Sequence, residues 1–305
     1  MAEIEPGEYI DTYINMRGKE RQSEEAMDPN LRQWFLKSSP DILGGFTTEH
    51  WVNKMTAAGI ERGLLNFSPQ SVGMARASAQ GDTVRQPTIP TTVPMTLDEF
   101  RAKCQEVADI CQAYPGRIFG SCNVDPNLRM DAVRMVEIAV KEYDFRAVRM
   151  MGAITNCRPN DALCFPIYTK CIELGIHIVI NIGFPGPIRY AKYQRPLDLD
   201  DVCVTFPELM VVATHNGHPW HLETVALLQK HANFRLMTSG FVPKYVPQEI
   251  IYTLNTRAQH KVMFSADYPI QDFQRCVDEA LKLPLRPGIL RRYMRENALE
   301  TFRME

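Results

Sequence analysis

The feature that most constrains this chain is a regular alternation of short apolar runs with longer amphipathic stretches, from one end to the other. The apolar runs lie at Tyr9–Ile14, Gly63–Phe67, Arg117–Cys122, Phe145–Met150, His177–Ile182, Leu209–Thr214, Asn233–Thr238 and Lys261–Ala266. Helical patterns cover Thr48–Ala58, Leu97–Ala113, Leu128–Tyr143, Ala162–Leu174, Leu222–His231, Pro247–Thr256 and Phe273–Leu281, with a last one near Pro287–Phe302. Crossovers of this length join parallel strands, and eight such units are expected to close into one α/β domain, a (β/α)8 TIM barrel. A chain of 305 residues suits a single domain of that kind, spanning residues 1–305.

Local chemistry supports the boundaries. Thr96 precedes Leu97-Asp98-Glu99 as an N-cap with acid in the first turn, Asp161 stands ready to cap the next long helix, and Gly59 and Gly175 fall where helices should stop. Two stretches exceed a minimal barrel, about 16–46 after the first strand and 68–96 after the second. Leaving the C-terminal ends of strands, they are expected to overhang the mouth.

Composition narrows the partners. With 45% hydrophobic and 23% charged residues and a net charge of −2, the chain has no basic surplus for phosphate backbones, so no nucleic acid is expected. No apolar stretch reaches the roughly 20 residues of a membrane helix, and the start, Met1-Ala2-Glu3-Ile4-Glu5-Pro6, is acidic where a signal peptide is basic. A cytoplasmic protein with no membrane contact is expected. The eight cysteines form no C-x-x-C pair and read as reduced core thiols, Cys157 and Cys164 lying in a loop.

Chemistry-bearing residues collect where strands end. Thr214-His215-Asn216-Gly217-His218-Pro219-Trp220 and Ser265-Ala266-Asp267-Tyr268-Pro269 each follow an apolar run, and the first strand ends Asp11-Thr12-Tyr13-Ile14-Asn15. Together with Leu197-Asp198-Leu199-Asp200, Phe206-Pro207-Glu208-Leu209, Ser239-Gly240, Asp125-Pro126 and Glu296-Asn297-Ala298, these segments closely resemble the amidohydrolase-related family. The branch is the one holding aminocarboxymuconate-semialdehyde and resorcylate decarboxylases, oxalomesaconate hydratases and pyrone-dicarboxylate lactonases.

The resemblance implies a metal held by two side chains after strand one, a His after strand five and an Asp after strand eight, with a His after strand six as acid/base group. His215 and Asp267 match that pattern. Tyr13, Asn15 and Asn181 stand at the other three positions. Amide oxygens and a neutral phenol replace imidazole poorly as zinc ligands, so no metal and no cofactor is expected. Tyr13, Asn15 and Asn181 would instead form a neutral hydrogen-bonding cage for a carbonyl or oxyanion. One of Arg149, Arg17 and Arg189 is expected to hold a carboxylate bidentately, and His218 and Trp220 to line the mouth.

The first expectation for function is therefore a metal-independent hydrolase of a lactone or ester-like bond in a small cyclic or unsaturated carboxylic acid. Asp267 would be the base and His215 the polarising group. A carboxy-lyase or hydratase on an aromatic or muconate-type acid, with His215 protonating carbon, is the alternative. A non-catalytic barrel that binds a small acid or a partner enzyme is the third. A homodimer is the expected assembly.

Overall fold

The computed structural model describes residues 4–16, 33, 39–67, 95–185 and 189–305. Eight parallel strands run in sequence order: β1 (Tyr9–Asn15), β2 (Ile60–Phe67), β3 (Ile118–Asn123), β4 (Ala147–Met150), β5 (His177–Asn181), β6 (Val211–Thr214), β7 (Phe234–Met237) and β8 (Val262–Met263). A parallel bridge between Ile14 and Tyr268 brings the last strand back to the first, as the TIM barrel requires. Main helices follow the strands: α1 (Thr48–Ala57), α2 (Leu97–Ala113), α3 (Met130–Lys141), α4 (Phe165–Leu174), α5 (Asp198–Thr205), α6 (His221–Lys230), α7 (Gln248–Leu254) and α8 (Phe273–Ala280). Among the described residues, no helix is long and apolar enough to cross a membrane.

The caps behave as their chemistry requires. Thr96 and Glu99 form a reciprocal capping box on α2, Asp161 accepts from Leu163 N at 2.9 Å, and Gly175 ends α4 at φ +64°. Three elements depart from the sequence pattern. α5 had no place in it, although Asp198, Asp200 and Asp201 favour a helix start. β8 shortens because Phe264 N bonds Tyr293 O at 2.9 Å and Ala266 N bonds the Asp11 carboxylate at 3.0 Å, so ladder partners give way to others. The expected last helix is split into Ile289–Arg291, a π-turn at Arg292–Glu296 and Asn297–Phe302. That π-turn contains the Tyr293 carbonyl which Phe264 uses. The long stretch at 68–96 lies outside the described residues except for its last two, as does most of 16–46, which ends in a 3-10 turn at Pro40–Leu43.

Inside the barrel, Ile10, Leu64, Ala147, Val179, Val212, Met237 and Met263 pack together, and Ala298, Phe302 and Met304 join them. One layer further toward the C-terminal end the inward positions turn polar: Asn66, Arg149, Asn181 and Thr214, each 0–2% exposed. β1 reaches the same level through a bulge. Asp11 pairs with Gly63 and Ile14 with Leu65, so three steps on β1 match two on β2. Parity flips at that point. Ile10 faces inward, yet Ile14 packs outside against the helical layer, and Tyr13 is left facing in. Gly63 makes the outward turn of Ile14 feasible, since a Cβ there would lie 2.5 Å from Ile14 Cδ1.

Candidate active site

Side chains from six strand ends meet in one hydrogen-bonded cluster at the C-terminal end of the barrel. From β1, the Tyr13 hydroxyl donates to Asn181 Oδ1 of β5 at 3.1 Å. Asn181 Nδ2 then lies 2.7 Å from His215 Nε2, just past β6. With the Asn181 oxygen already taken, its amide donates, so Nε2 accepts and the imidazole proton sits on Nδ1. That nitrogen is 3.1 Å from Ser239 Oγ, which follows β7, and 3.9 Å from Asp267 Oδ2, which follows β8. Asp267 Oδ1 accepts from Asn15 Nδ2 at 2.6 Å, and Arg149 of β4 donates from a terminal guanidinium nitrogen to Asn15 Oδ1 at 3.3 Å.

Backbone strain is concentrated at the same place. His215, Asn216 and Asp267 take positive φ of 61°, 59° and 68°, each costing about 1–3 kcal/mol, which the surrounding packing must offset. Gly240 lets the chain after β7 pass close to the imidazole, because a Cβ there would stand 2.6 Å from Nδ1. Asp11 holds the other approach: its carboxylate takes the Ser265 hydroxyl at 2.9 Å and Ala266 N at 3.0 Å, fixing the two residues before Asp267.

The electrostatics are unusual in their economy. Arg149 is 2% exposed, with its guanidinium carbon 3.5 Å from the Tyr13 ring centroid, and among the described residues its Nε has no hydrogen-bond partner. Burial pulls it down to about 9, against the attraction of Asp267, so it stays charged at neutral pH. Burial also pushes His215 down to about 4, the charge on Arg149 adding to the effect, so its ring is neutral. Asn66 of β2, buried and paired in register with Asn15, has an Nδ2 with no partner among the described residues.

A divalent cation does not fit this donor set. Asn15 Oδ1 faces a guanidinium, Asn181 Oδ1 is taken by a phenol, His215 Nε2 is taken by an amide, and Asp267 is the carboxylate of the cluster. The charge of Arg149 adds repulsion. Among the described residues no three His, Cys, Asp or Glu side chains are grouped to hold a metal.

A family model described as amidohydrolase matches residues 58–304. The chain belongs to the amidohydrolase family. Solved structures similar to this amidohydrolase include an uncharacterised TIM-barrel protein from Bordetella bronchiseptica, at 20% identity and TM-score 0.74, covering 97% of this chain and 99% of the other. A 5-carboxyvanillate decarboxylase from Sphingomonas paucimobilis follows at 17% identity and TM-score 0.70, covering 98% and 100%. A dihydroxybenzoic acid decarboxylase from a Polaromonas species, solved with bound manganese and the inhibitor 2-nitroresorcinol, is 16% identical with TM-score 0.67, covering 98% and 97%. At such identities the likeness shows the fold. No curated protein sequence matches the chain.

Of the residues expected at the site, Tyr13, Asn15, Arg149, Asn181, His215 and Asp267 form the connected cluster. Arg17 lies outside the described residues. His218 and Trp220 do not join it: His218 is exposed and meets Phe241 edge-on at 5.7 Å, and Trp220 packs under Arg195 at 4.8 Å on an outer groove. Ser239 and Asn66, polar residues at or next to the end of an apolar strand, and Asp11, a carboxylate within one, were not assigned to the site from sequence.

Proposed function

We propose that this amidohydrolase-family protein is a metal-independent, non-oxidative carboxy-lyase acting on a small aromatic or muconate-type carboxylic acid. The observation that carries the reading is Arg149: a buried cation whose hydrogen-bond acceptor, Asn15 Oδ1, is neutral and whose Nε is unmatched. Burying such a charge is costly and the attraction of Asp267 offsets only part of the cost, so a substrate carboxylate entering the mouth would supply a direct partner. The names of the similar decarboxylases favour loss of carbon dioxide over the hydrolysis that the sequence placed first.

In this reading Arg149 and Asn66 Nδ2, which has no partner among the described residues, hold the acid. A second negative charge in the same cup favours proton uptake there, and Asp267 carries that proton. It passes to the carbon bearing the carboxylate, the carbon–carboxylate bonding pair returns to the conjugated system, and carbon dioxide leaves. The Asp267 carboxylate that remains is stabilised by Asn15 Nδ2 at 2.6 Å and faced by His215 Nδ1–H at 3.9 Å, and it recovers a proton from water. His215 is not the acid, because a ring pushed down to about 4 and accepting at Nε2 carries no transferable second proton at neutral pH.

Hydrolysis of a lactone or ester-like bond is the second reading. It is favoured by the Asn15 amide that already donates to Asp267 at 2.6 Å, which would suit a carboxylate acting as base on water. The deciding experiment incubates chelator-treated enzyme with 2,6-dihydroxybenzoate, 5-carboxyvanillate and a panel of unsaturated lactone acids, following carbon dioxide and ring opening separately. Carbon dioxide without added metal is expected. Ring opening alone would establish the second reading, and turnover that chelation removes and manganese restores would overturn metal independence.

A further inference from the structure

We propose that Cys157 and Cys164 are a redox-modification site, a buried dithiol that converts reversibly to an internal disulfide when a peroxide or a small disulfide is supplied as oxidant. The two sulfurs lie 3.6 Å apart, in contact, in the loop between β4 and α4. No other pair among the eight free cysteines shows a sulfur–sulfur contact among the described residues.

The loop holds the pair in place. Both thiols are directed at one carbonyl, Arg158 O, from 3.6 Å for Cys157 and 3.4 Å for Cys164. Tyr168 donates to Pro159 O at 2.6 Å, Asp161 caps Leu163 N at 2.9 Å, and Asn160 donates to Asp201 at 2.8 Å. The intervening residues are thus pinned at three points, and the entropy of bringing the sulfurs together is already spent in folding. A bond of about 2.05 Å needs the sulfurs to close by roughly 1.5 Å. Cys164 is fixed at the start of α4, whereas Cys157 follows the left-handed Asn156 in a turn and can supply most of the movement.

The two positions differ in access. Cys157 is 6% exposed beside the exposed Arg158, and Cys164 is fully buried. The oxidant therefore meets Cys157 first. With hydrogen peroxide, the Cys157 sulfur takes one oxygen as sulfenic acid and one water is released; Cys164 sulfur then attacks that sulfur and a second water leaves. Two thiols and one peroxide give one disulfide and two waters. With a small disulfide, two thiols of the small molecule leave instead. The neighbouring thiol and burial push the Cys164 thiol well above the ordinary range, so the resolving step is slow.

The test uses the full-length reduced protein, treated with hydrogen peroxide, blocked with N-ethylmaleimide, digested and mapped by mass spectrometry. The peptide carrying both cysteines is expected to lose two hydrogens and escape alkylation while the other six thiols are blocked, and dithiothreitol should reverse the change. In C164S the sulfenic acid has no partner, so dimedone labelling of Cys157 should exceed the wild-type level by about tenfold. An unmodified Cys157–Cys164 peptide under conditions that oxidise the other cysteines, or a disulfide to a different partner, would overturn the proposal. The wild-type map decides even if the serine variant fails to fold.

Discussion

At the N-terminal end of the barrel Arg291 pairs with Glu8 at 3.1 Å and Arg295 with Glu61, each side chain 15–37% exposed. At the C-terminal end Arg149 is 2% exposed and its acceptor is an amide. The lower charges are all matched, Arg291 also reaching Glu296 at 3.3 Å and Glu61 also reaching Arg62 at 3.4 Å, and partly in water, where such pairs add little stability and cost little to keep. The upper charge is desolvated and under-matched. Left-handed backbone occurs at both ends, at His215, Asn216 and Asp267 by the mouth and at Asp144 and Arg303 away from it. In the proposed reading, the under-matched cation at the upper end is what a substrate anion would satisfy.

The largest expected effect falls on the upper end alone. Asp267→Asn keeps shape and removes the proton carrier, so turnover of a verified substrate should fall by about 10²–10⁴ with the melting temperature nearly unchanged. Steady-state kinetics beside thermal unfolding checks both halves. Equal turnover in wild type and variant would remove Asp267 from the chemistry in either reading.

Arg149 and Arg295 should respond in opposite senses. Arg149→Met removes a cation that is poorly matched in the free protein, so unfolding free energy should rise by about 1–3 kcal/mol while KM for the acid rises roughly 10- to 100-fold. Arg295→Met should leave KM alone and lower stability by about 1 kcal/mol or less. Denaturant titrations of the two variants give the comparison directly. A destabilised Arg149→Met with unchanged KM would make Arg149 a structural residue and withdraw the anion site.

How much of this was legible in the sequence differs between the same two layers. Strand-end chemistry can be read from order alone, because parallel strands of one barrel all end on one face. His215 and Asp267 therefore announced themselves, and Tyr13, Asn15 and Asn181 joined them through the family resemblance. The bulge that turns Tyr13 inward leaves only a faint mark in the sequence, the adjacent polar pair Asp11-Thr12 and apolar pair Tyr13-Ile14 that break the alternation, and its place is fixed by the pairing with Gly63 and Leu65. Membership of the hydrogen-bonded cluster is not legible from proximity in sequence: His218 and Trp220, close to His215, stay outside it, His218 meeting Phe241 and Trp220 meeting Arg195.

Two histidines, one at each end, sharpen the comparison through pH. His177 at the start of β5 is pushed down to about 4 by burial, with Arg303 and Arg235 adding to it, and His215 reaches the same level. Each binds a proton less tightly folded than unfolded, so its contribution is complete above about pH 6.5 and is lost as pH falls toward 4, by up to ~3 kcal/mol. Asp11 opposes them. Burial raises it to about 7, so its preference for the folded state is complete below about 3.8 and fades as pH climbs to 7. His177→Gln and His215→Gln should each flatten the acid limb of stability measured by denaturation between pH 4 and 7, and only His215→Gln should also lower turnover. A flat acid limb in wild type would mean that both rings are protonated in the fold.

The smallest effect tests whether the phenol touches the reaction. From sequence, Tyr13 was expected to offer its hydroxyl to an oxyanion, a role whose loss costs about 10²–10³ in rate. In the structure that hydroxyl donates to Asn181 Oδ1, and the ring face supports Arg149. Tyr13→Phe keeps the platform and loses one buried hydrogen bond, about 1 kcal/mol, so kcat/KM should drop roughly fivefold. Tyr13→Leu loses the platform as well and should raise KM a further few-fold through Arg149, since a desolvated cation–π contact contributes about 1–2 kcal/mol. Kinetics of the pair separates hydroxyl from ring. A 10²-fold loss in kcat for Tyr13→Phe would place the phenol against the reacting oxygen after all, and would require Asn181 to release it when substrate binds.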